Sequence, residues 1–321
     1  MRLAPAIVLS QLWVCMAAAA TDVPDRAEAL AWLQTIANAA AQLNYCGTFV
    51  YQHGDDQAET CRILHLVDHG AEYEKLETLD GPKREIIRTP TEILTYLADT
   101  QLVKREKRTT RKLFPAILPE QLSGVAEHYQ LRKGRAERIA GYDAHAVILE
   151  PRDEYRYGHK FWVEDSTGLL LKARMLDEKN HAVEQFQFTQ LDINCPLTRD
   201  SVKPSFTVPS DGGVPDLAAP SETDWMVRNP PPGFKKIMEM KRPKRDGQGQ
   251  ISHLVFSDGL AAVSVFVESV PTARKSVDGL SHQGAVNIYT RALPEHIVTV
   301  LGETPAVTVM QIANSVSPKN K

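Results

Sequence analysis

Catalytic motifs and cysteines are both scarce in this sequence. Its 321 residues include four cysteines, with no CxxC pair, and ten histidines scattered along the chain. The HExxH, GxSxG and GxxxxGKS/T motifs, which mark a zinc site, a nucleophilic serine and a phosphate-binding loop, are absent. Acidic residues near turns, such as Asp153 and Glu164, are expected to be solvated. We therefore predict a binding protein with no catalytic residues, no cofactor and no metal site.

Long apolar stretches are also rare, and the clearest one lies at the start of the chain. Residues 1–20, MRLAPAIVLSQLWVCMAAAA, combine an early Arg2 with an apolar centre and a run of small residues. This order is typical of a secretory signal that is cleaved near Ala20. Cys15 also allows a lipoprotein, although Val14 stands before it where a small residue is usual. No later segment approaches eighteen apolar residues, so the mature protein is expected to be exported and soluble.

Three cysteines remain after such processing, and an oxidising compartment allows a disulfide. GTFVYQ and TCRILHLV are predicted to be two strands joined by the turn HGDDQ. A turn centred near Gly54 and Asp55 places Cys46 and Cys61 on one face as diagonal neighbours, with Cβ atoms about 7 Å apart. A small register shift would permit a Cys46–Cys61 disulfide. Two buried thiols, or a redox or metal site, are the alternatives, and Cys195 has no obvious partner.

A change of composition divides the mature chain into two parts. Residues 25–45 form the clearest predicted helix, and strand patterns dominate from there to about residue 193. Residues 200–224 are rich in Pro, Ser, Gly and Asp, which predicts a linker. The expected organisation is a first domain over residues 21–199 and a smaller α+β domain over residues 225–318.

Charge is distributed unevenly between these parts. Residues 21–199 carry 23 basic and 28 acidic side chains, whereas residues 225–321 carry 12 basic and 7 acidic ones, so the net charges are −5 and +5. Two ordinary solvated surfaces would explain this asymmetry. A C-terminal domain that meets an acidic partner would explain it equally well.

A basic run beside an apolar run is the strongest candidate for a ligand site in the first part. KREKRTTRK is followed at once by LFPAILP. Cations suit phosphates and an apolar surface suits acyl chains, so the pair fits the head group and tails of lipid A. A solvated loop is the plainer interpretation, and nucleic acid is not expected, because the run lacks stacking aromatics. The predicted lipid-binding residues are Lys104, Arg105, Lys107, Arg108, Arg111, Lys112, Leu113, Phe114, Ile117 and Leu118.

A second basic run and a nearby tight turn are candidates for partner binding in the last part. KKIMEMKRPKR spans residues 235–245, and SDGL forms a turn between two strands at residues 257–260. The cations suit an acidic or extended polypeptide, whereas the turn by itself is also explained by a plain hairpin. The predicted partner-binding residues are Lys235, Lys236, Lys241, Arg242, Lys244, Arg245, Ser257, Asp258 and Gly259.

Four segments of the mature chain resemble one protein family. They are LDGPKREIIR (79–88), RIAGYDAHAVILEPRDEYRYGHKFWVEDSTGLLLKARMLDEKNHAVEQFQF (138–188), PPGFKKI (231–237) and FSDGLAAVSVFVE (256–268). In this order they resemble the RseB/MucB family of periplasmic regulators of the sigma-E (AlgU-type) envelope stress response. The resemblance covers nearly all of the mature chain, although Cys46 is not part of the family pattern and neither is Cys61.

This resemblance implies both a fold and a function. The first domain would be similar to the lipoprotein carriers LolA and LolB, a curved antiparallel half-barrel with helices on its concave side, and the second a smaller α+β domain. The protein would be periplasmic and would bind the periplasmic region of a membrane-bound anti-sigma factor of the RseA/MucA type, partly through the 257–260 turn. It would shield that region from the first regulatory protease until lipopolysaccharide or lipoprotein-derived amphiphiles weaken the complex. A lipid carrier of the LolA type is the alternative, and homo-oligomer formation stays open.

Overall fold

The computed structural model describes residues 24–54, 57–107, 114–119, 122–206, 221–244, 249–270 and 278–319. The expected secretory signal and most of the expected linker lie outside these ranges. A large sheet lies within the first part of the chain and a smaller one within the last part. Within the described ranges, no helix is long and apolar enough to span a bilayer.

Eleven strands and two helices build the first domain. The elements are α1 (Arg26–Gln42), β1 (Tyr45–His53), β2 (Gln57–Asp68), β3 (Ala71–Thr78), β4 (Arg84–Arg88), β5 (Glu92–Leu97), β6 (Leu102–Lys107), α2 (Ser123–His128), β7 (Tyr129–Ile139), β8 (Tyr142–Pro151), β9 (Gly158–Glu164), β10 (Leu170–Leu176) and β11 (Ala182–Ile193). The strands lie in the order β6-β5-β4-β3-β2-β1-β11-β10-β9-β8-β7 and pair antiparallel. The sheet is therefore open, with β6 and β7 at its edges.

The helices pack on one face of this sheet. Helix α1 begins at Arg26 because the Asp25 side chain accepts a hydrogen bond from the Glu28 N–H at 2.9 Å. Its Leu33 and Ile36 are buried at helical spacing and join one continuous core with the inward side chains of the strands. The strands contribute Tyr45, Phe49, Ile63, Leu149, Phe161 and Phe188.

A second, six-stranded sheet forms the last part of the chain. The elements are β12 (Trp225–Val227), β13 (Lys235–Pro243), β14 (Gln250–Ser257), β15 (Ala262–Ser269), β16 (Gly279–Gln283), β17 (Val286–Leu293), β18 (His296–Gly302), α3 (Ala306–Asn314) and β19 (Val316–Pro318). The sheet order is β13-β14-β15-β18-β17-β16, and β12 pairs separately with β19. Leu254, Val265 and Val300 form one row across the sheet, and α3 covers that face with Val309 and Ile312. The predicted fold class, an open antiparallel sheet with packed helices and a smaller α+β domain, is confirmed.

The disulfide is not the Cys46–Cys61 bond that the predicted hairpin left possible. Cys46 is bonded to Cys195, with Cα atoms 5.8 Å apart, and Cys61 is a buried free thiol. The predicted hairpin is present, but its register is one residue away from the prediction, so Cys46 faces Leu64 and Cys61 faces Phe49. A shift of one residue moves side chains to the opposite face of a sheet, and the predicted Cys46–Cys61 pairing is therefore wrong. Burial raises the pKa of the Cys61 thiol to about 12, which keeps it un-ionised at neutral pH.

Residues 194–206, which we call the strap, follow β11 and are tied to the first sheet by side chains. The Arg199 Nε donates to Asp68, at the end of β2, at 2.6 Å. Further along, the Ser205 N–H donates to Glu85 of β4 at 2.8 Å. The first residues of the expected linker thus pack on the first domain.

Candidate functional site at the domain junction

The loop between β8 and β9 carries an arginine that both domains enclose. The Arg156 side chain is fully buried, and its Nε and Nη2 donate to the Asp153 carboxylate at 2.9 and 3.0 Å. Its Nη1 donates to Asp258 at 2.9 Å and its Nη2 to the carbonyl of Pro232 at 2.6 Å. Asp258 and Pro232 belong to the second domain, so one guanidinium joins the domains through charge-assisted hydrogen bonds.

Two aromatic rings and a histidine complete this enclosure. The centroids of Tyr129 in the first domain and Phe234 in the second lie 5.8 and 5.4 Å from the Cζ of Arg156. Burial and the nearby Asp258 carboxylate raise the pKa of Tyr129 well above its usual value, so the phenol is neutral. The His159 ring lies 5.9 Å from that of Tyr129, and burial lowers its pKa to about 4. At neutral pH the Tyr129 and His159 rings are therefore uncharged.

The 257–260 turn points into the junction. The Asp258 side chain is fully buried, and its Oδ1 accepts a hydrogen bond from the Ala261 N–H at 2.8 Å. Gly259 has a φ of +107°, which favours glycine, and Pro119 of the first domain packs against it. Ser257 is half-buried in the same turn. Partner contact by Asp258 stays a prediction, and in this structure Arg156 of the first domain encloses its carboxylate.

The residues on either side of Arg156 also reach the second domain. The Thr308 hydroxyl of α3 donates to the carbonyl of Tyr155 at 2.7 Å. The side-chain amide of Asn287 donates to the Tyr157 hydroxyl at 3.1 Å. One loop of the first domain therefore contacts four separate segments of the second: the loop at Pro232, the 257–260 turn, α3 and β17.

Two glycines of the second domain allow histidine rings of the first to pack closely. Gly233 has a φ of +82°, and a Cβ there would lie 2.4 Å from the Nε2 of His128. Gly284, in the β16–β17 turn, has a φ of +57°, and a Cβ there would lie 1.8 Å from the Nε2 of His53. A side chain at either glycine would force the facing histidine ring to move, so both positions keep close contacts between the two domains.

The predicted lipid-binding residues divide into a buried and an exposed group. Phe114 and Leu118 are buried in the first core, where the Phe114 ring stacks on Phe186 at 5.4 Å, and Ile117 is partly buried beside them. They fill the helix-covered face of the sheet rather than lining an open apolar surface. The basic residues that the structure describes are on the edge strand β6, and both are exposed: Lys104 and Arg105. The side chain of Lys107, and residues Arg108, Arg111, Lys112 and Leu113, lie outside the described residues.

The predicted basic partner surface lies on β13 and is partly neutralised within the chain. Lys235 and Lys236 are exposed at its start, and Lys236 forms an ion pair with Glu239. Burial alone would raise the pKa of Glu239, but hydrogen bonds from Lys236, Lys319 and Thr223 lower it to about 2. Three other predicted residues also have intramolecular partners: Lys241 pairs with Asp224 at 3.2 Å, Lys244 donates to the Ser269 carbonyl at 2.5 Å, and Arg242 contacts the Met240 sulfur at 3.1 Å. Arg245 lies outside the described residues.

The sequence predictions did not include Arg156. It lies in a turn with no strand or helix periodicity, and its partner Asp153 was expected to be solvated. Asp153 instead binds Arg156, and Glu164 is buried and accepts hydrogen bonds from Ser166 and Thr167. An arginine flanked by aromatic residues in an acidic loop was the available signal, but nothing local indicated Asp258, which lies 102 positions away.

Sequence models of two known domains match this chain on either side of the expected linker. The MucB/RseB N-terminal domain matches residues 28–206, and the MucB/RseB C-terminal domain matches residues 219–317. This chain belongs to the MucB/RseB family. The match to the MucB/RseB N-terminal domain includes the strap, in agreement with its packing on the first sheet.

Relatives in the MucB/RseB family are similar over almost their whole length. The chain is 31% identical over 317 residues to the sigma factor AlgU regulatory protein MucB of Pseudomonas aeruginosa, which covers 95% of this chain and 94% of that protein. It is 25% identical to the sigma-E factor regulatory protein RseB of Haemophilus influenzae, over 88% of this chain and 89% of that protein.

Solved MucB structures share the fold of both domains. The crystal structure of MucB in complex with MucA(peri) aligns with a TM-score of 0.75 at 30% identity, over 91% of this chain and 100% of that chain. The complex structure of Pseudomonas aeruginosa MucA/MucB aligns with a TM-score of 0.76 at 29% identity, over 92% of this chain and 100% of that chain.

Proposed function

We propose that this protein is a periplasmic negative regulator of a sigma-E (AlgU-type) envelope stress response. It binds the periplasmic region of a membrane-bound anti-sigma factor of the RseA/MucA type and shields that region from regulated proteolysis. Lipopolysaccharide or another amphiphile binds the first domain and weakens the complex. The protein acts by binding alone and is not an enzyme.

One observation carries this proposal: the likeness to MucB in complex with MucA(peri) extends over both domains, at 30% identity and 91% of this chain. A lipid carrier of the LolA type, the alternative, would need only the first domain. The second domain, with its net charge of +5 over residues 225–321, favours a regulator that meets a polypeptide partner.

The basic start of β13 is the part of the predicted partner surface that supports direct contact. Lys235 and Lys236 are exposed there. We assign Asp258 a different role, since it positions the turn through Arg156 and Ala261. Replacing Lys235 and Lys236 by Gln should therefore weaken partner binding without lowering the stability of the domain junction.

A binding titration tests the proposed function. The mature protein, beginning at residue 21, is mixed with the periplasmic region of the host's anti-sigma factor, with and without lipopolysaccharide. Tight binding that lipopolysaccharide weakens is the expected result. If the protein binds lipopolysaccharide but not that region, the result would contradict the regulator proposal and favour the lipid-carrier alternative.

The amphiphile site is tested separately at the β6 edge. Exposed Lys104 and Arg105 are placed to meet phosphates, whereas Phe114 would have to leave its aromatic cluster before acyl chains could enter the core. Replacing the six cations of the run by Gln should weaken lipopolysaccharide binding at least tenfold, and unchanged affinity would remove this run from the site. The six are Lys104, Arg105, Lys107, Arg108, Arg111 and Lys112.

A further inference from the structure

The two sheets have four edge strands, and three of them are protected. An edge strand exposes unpaired backbone N–H and C=O groups, which pair with other chains unless charge, a bulge or a cover prevents it. The first sheet ends at β6, with its consecutive charges, and at β7, where the pairing register is broken between Lys133 and Ala136. In the second sheet, the Ser221 N–H donates to the Glu239 carbonyl of β13 at 3.3 Å, which covers part of that edge.

Within the described part of the chain, the fourth edge, β16, has none of these protections. Its sequence is GLSHQ, without Lys, Arg, Asp or Glu, and all five residues are exposed. Leu280 at its centre is 50% exposed. Its pairing with β17 is regular, and among the described residues β17 is its only strand partner. The outer side of β16 is therefore a flat, uncharged edge that can accept another strand.

The surroundings of β16 define what an added strand would meet. Leu280 pairs with Tyr289, which lies in the row of Val300 on the face that α3 covers. An apolar side chain of an added strand would therefore extend the second core beside Leu280. At the other end of β16, the Gly284 turn packs against His53 of the first domain, so an added strand would run to the domain junction.

The geometry points to β16 as the docking edge for an extended, acidic segment of a protein partner, which adds to the small sheet as a seventh strand. Charge favours such a partner over a second copy, because pairing two copies would bring together two domains with a net charge of +5 each. The inference rests on the proposed function for the source of the segment, the periplasmic region of the anti-sigma factor.

The first experiment places a negative charge on the open edge, the same sign as the proposed acidic segment. Leu280→Asp should weaken binding of the host's anti-sigma periplasmic region at least tenfold, because the new carboxylate repels an acidic strand and removes an apolar contact. Leu102→Asp is the matched control, since Leu102 begins the edge strand β6 and is 38% exposed; it should change affinity less than twofold. Circular dichroism checks that both variants are folded.

The second experiment reads the conformation of the bound segment and does not depend on the stability of L280D. Ser281→Cys adds a reactive thiol to β16. The described cysteines should not compete with it, because Cys61 is buried and Cys46 is bonded to Cys195. Single cysteines are then scanned along the anti-sigma region. Cross-links at every second position are expected of a paired strand, whereas a spacing of three and four residues, or no cross-links in a complex that forms, would overturn the inference.

Two further outcomes separate this inference from the proposed function. If L280D binds the anti-sigma region with wild-type affinity, β16 is not part of the interface, and the proposed regulatory function is unaffected. No binding by the wild-type protein overturns the proposed function, and this inference with it. Concentration-dependent dimers of the wild-type protein that L280D abolishes would make a second copy, rather than an acidic partner, the occupant of the edge.

Discussion

Cys46 and Cys195 are 149 positions apart in the sequence and are bonded beside the central strands of the first sheet. A bond that closes so long a loop restricts the unfolded chain, which is the main source of disulfide stabilisation in the loop-entropy description. The third mature cysteine, Cys61, is buried on the opposite face of the sheet and has no such effect.

Replacing both bonded cysteines by Ser should lower the free energy of unfolding by about 2–5 kcal/mol, measured by urea denaturation. Cys61→Ala is the control and should cost less, because it removes a single sulfur from the core. Thiol titration of the denatured wild-type mature protein should find one thiol per chain. Equal stability of the double variant and the wild type would show that the bond is not a stabilising one.

The pKa values of His159 and His253 predict that acid destabilises the fold. Burial lowers the pKa of His159 to about 4, and burial followed by the charge of Arg242 lowers that of His253 to about 4. An unfolded chain takes up a proton on each histidine near pH 6.5, whereas the folded chain does not until about pH 4. The stabilising effect is therefore present above pH 6.5 and is lost as the pH falls through that window, by about 1.4 kcal/mol for each unit of pKa difference.

The slope of unfolding free energy against pH checks this prediction. His253→Leu should flatten the slope between pH 6.5 and 4. A wild-type stability that is constant across the window would contradict the prediction.

At the scale of elements, the strap extends the first domain beyond the end of its last strand, β11. Arg199 of the strap donates a hydrogen bond to β2 and Ser205 donates one to β4. Val202, which lies between them in the sequence, is buried. The composition of this segment, rich in Pro and Ser, resembles the linker that follows it. Composition therefore could not separate a segment that packs on a sheet from one that connects two domains.

A comparison of two fragments tests the role of the strap. The fragment 21–206 should unfold at a clearly higher temperature than the fragment 21–193, which lacks both the strap and the disulfide. Each kcal/mol of lost stability lowers the melting temperature by about 2–4 °C for a domain of this size. Fragment 21–206 with Cys46 and Cys195 both replaced by Ser separates the two contributions; if it melts like 21–193, the strap's side-chain contacts add nothing.

At the scale of the whole molecule, Arg156 makes the two domains depend on each other. The Arg156 cation pairs with Asp153 and with the fully buried Asp258, and removing it leaves the Asp258 carboxylate buried without this counter-ion. The turn that carries Asp258 has its own hydrogen bonds, but the second oxygen of its buried carboxylate is paired by Arg156 of the first domain.

Arg156→Met should lower the free energy of unfolding by about 3–5 kcal/mol and split one calorimetric transition into two, one for each domain. Arg132→Met is the matched control, because Arg132 pairs with Glu150 at a half-exposed site and such pairs contribute about 0–1 kcal/mol. A single, unshifted transition in R156M would show that the domains are coupled by other contacts.

The amino-acid sequence by itself determined the features that depend on neighbouring residues. Asp25 caps the helix that the spacing of Leu33 and its neighbours predicts, and alternation indicated strands such as β8 and β9 of the first sheet. The resemblance of four segments placed the chain in its family. These signals are local, because caps, periodicity and turns involve residues a few positions apart.

Only the tertiary structure decided the contacts that join distant parts of the chain. A hairpin register one residue from the prediction placed Cys61 on the face away from Cys46, and the pairing of β1 with β11 brought Cys195 there instead. The junction likewise joins Arg156 to Asp258, whose separation no local pattern encodes. The physical reason is the same in each case: strand order and domain packing, which are properties of the whole core, determine which distant side chains meet.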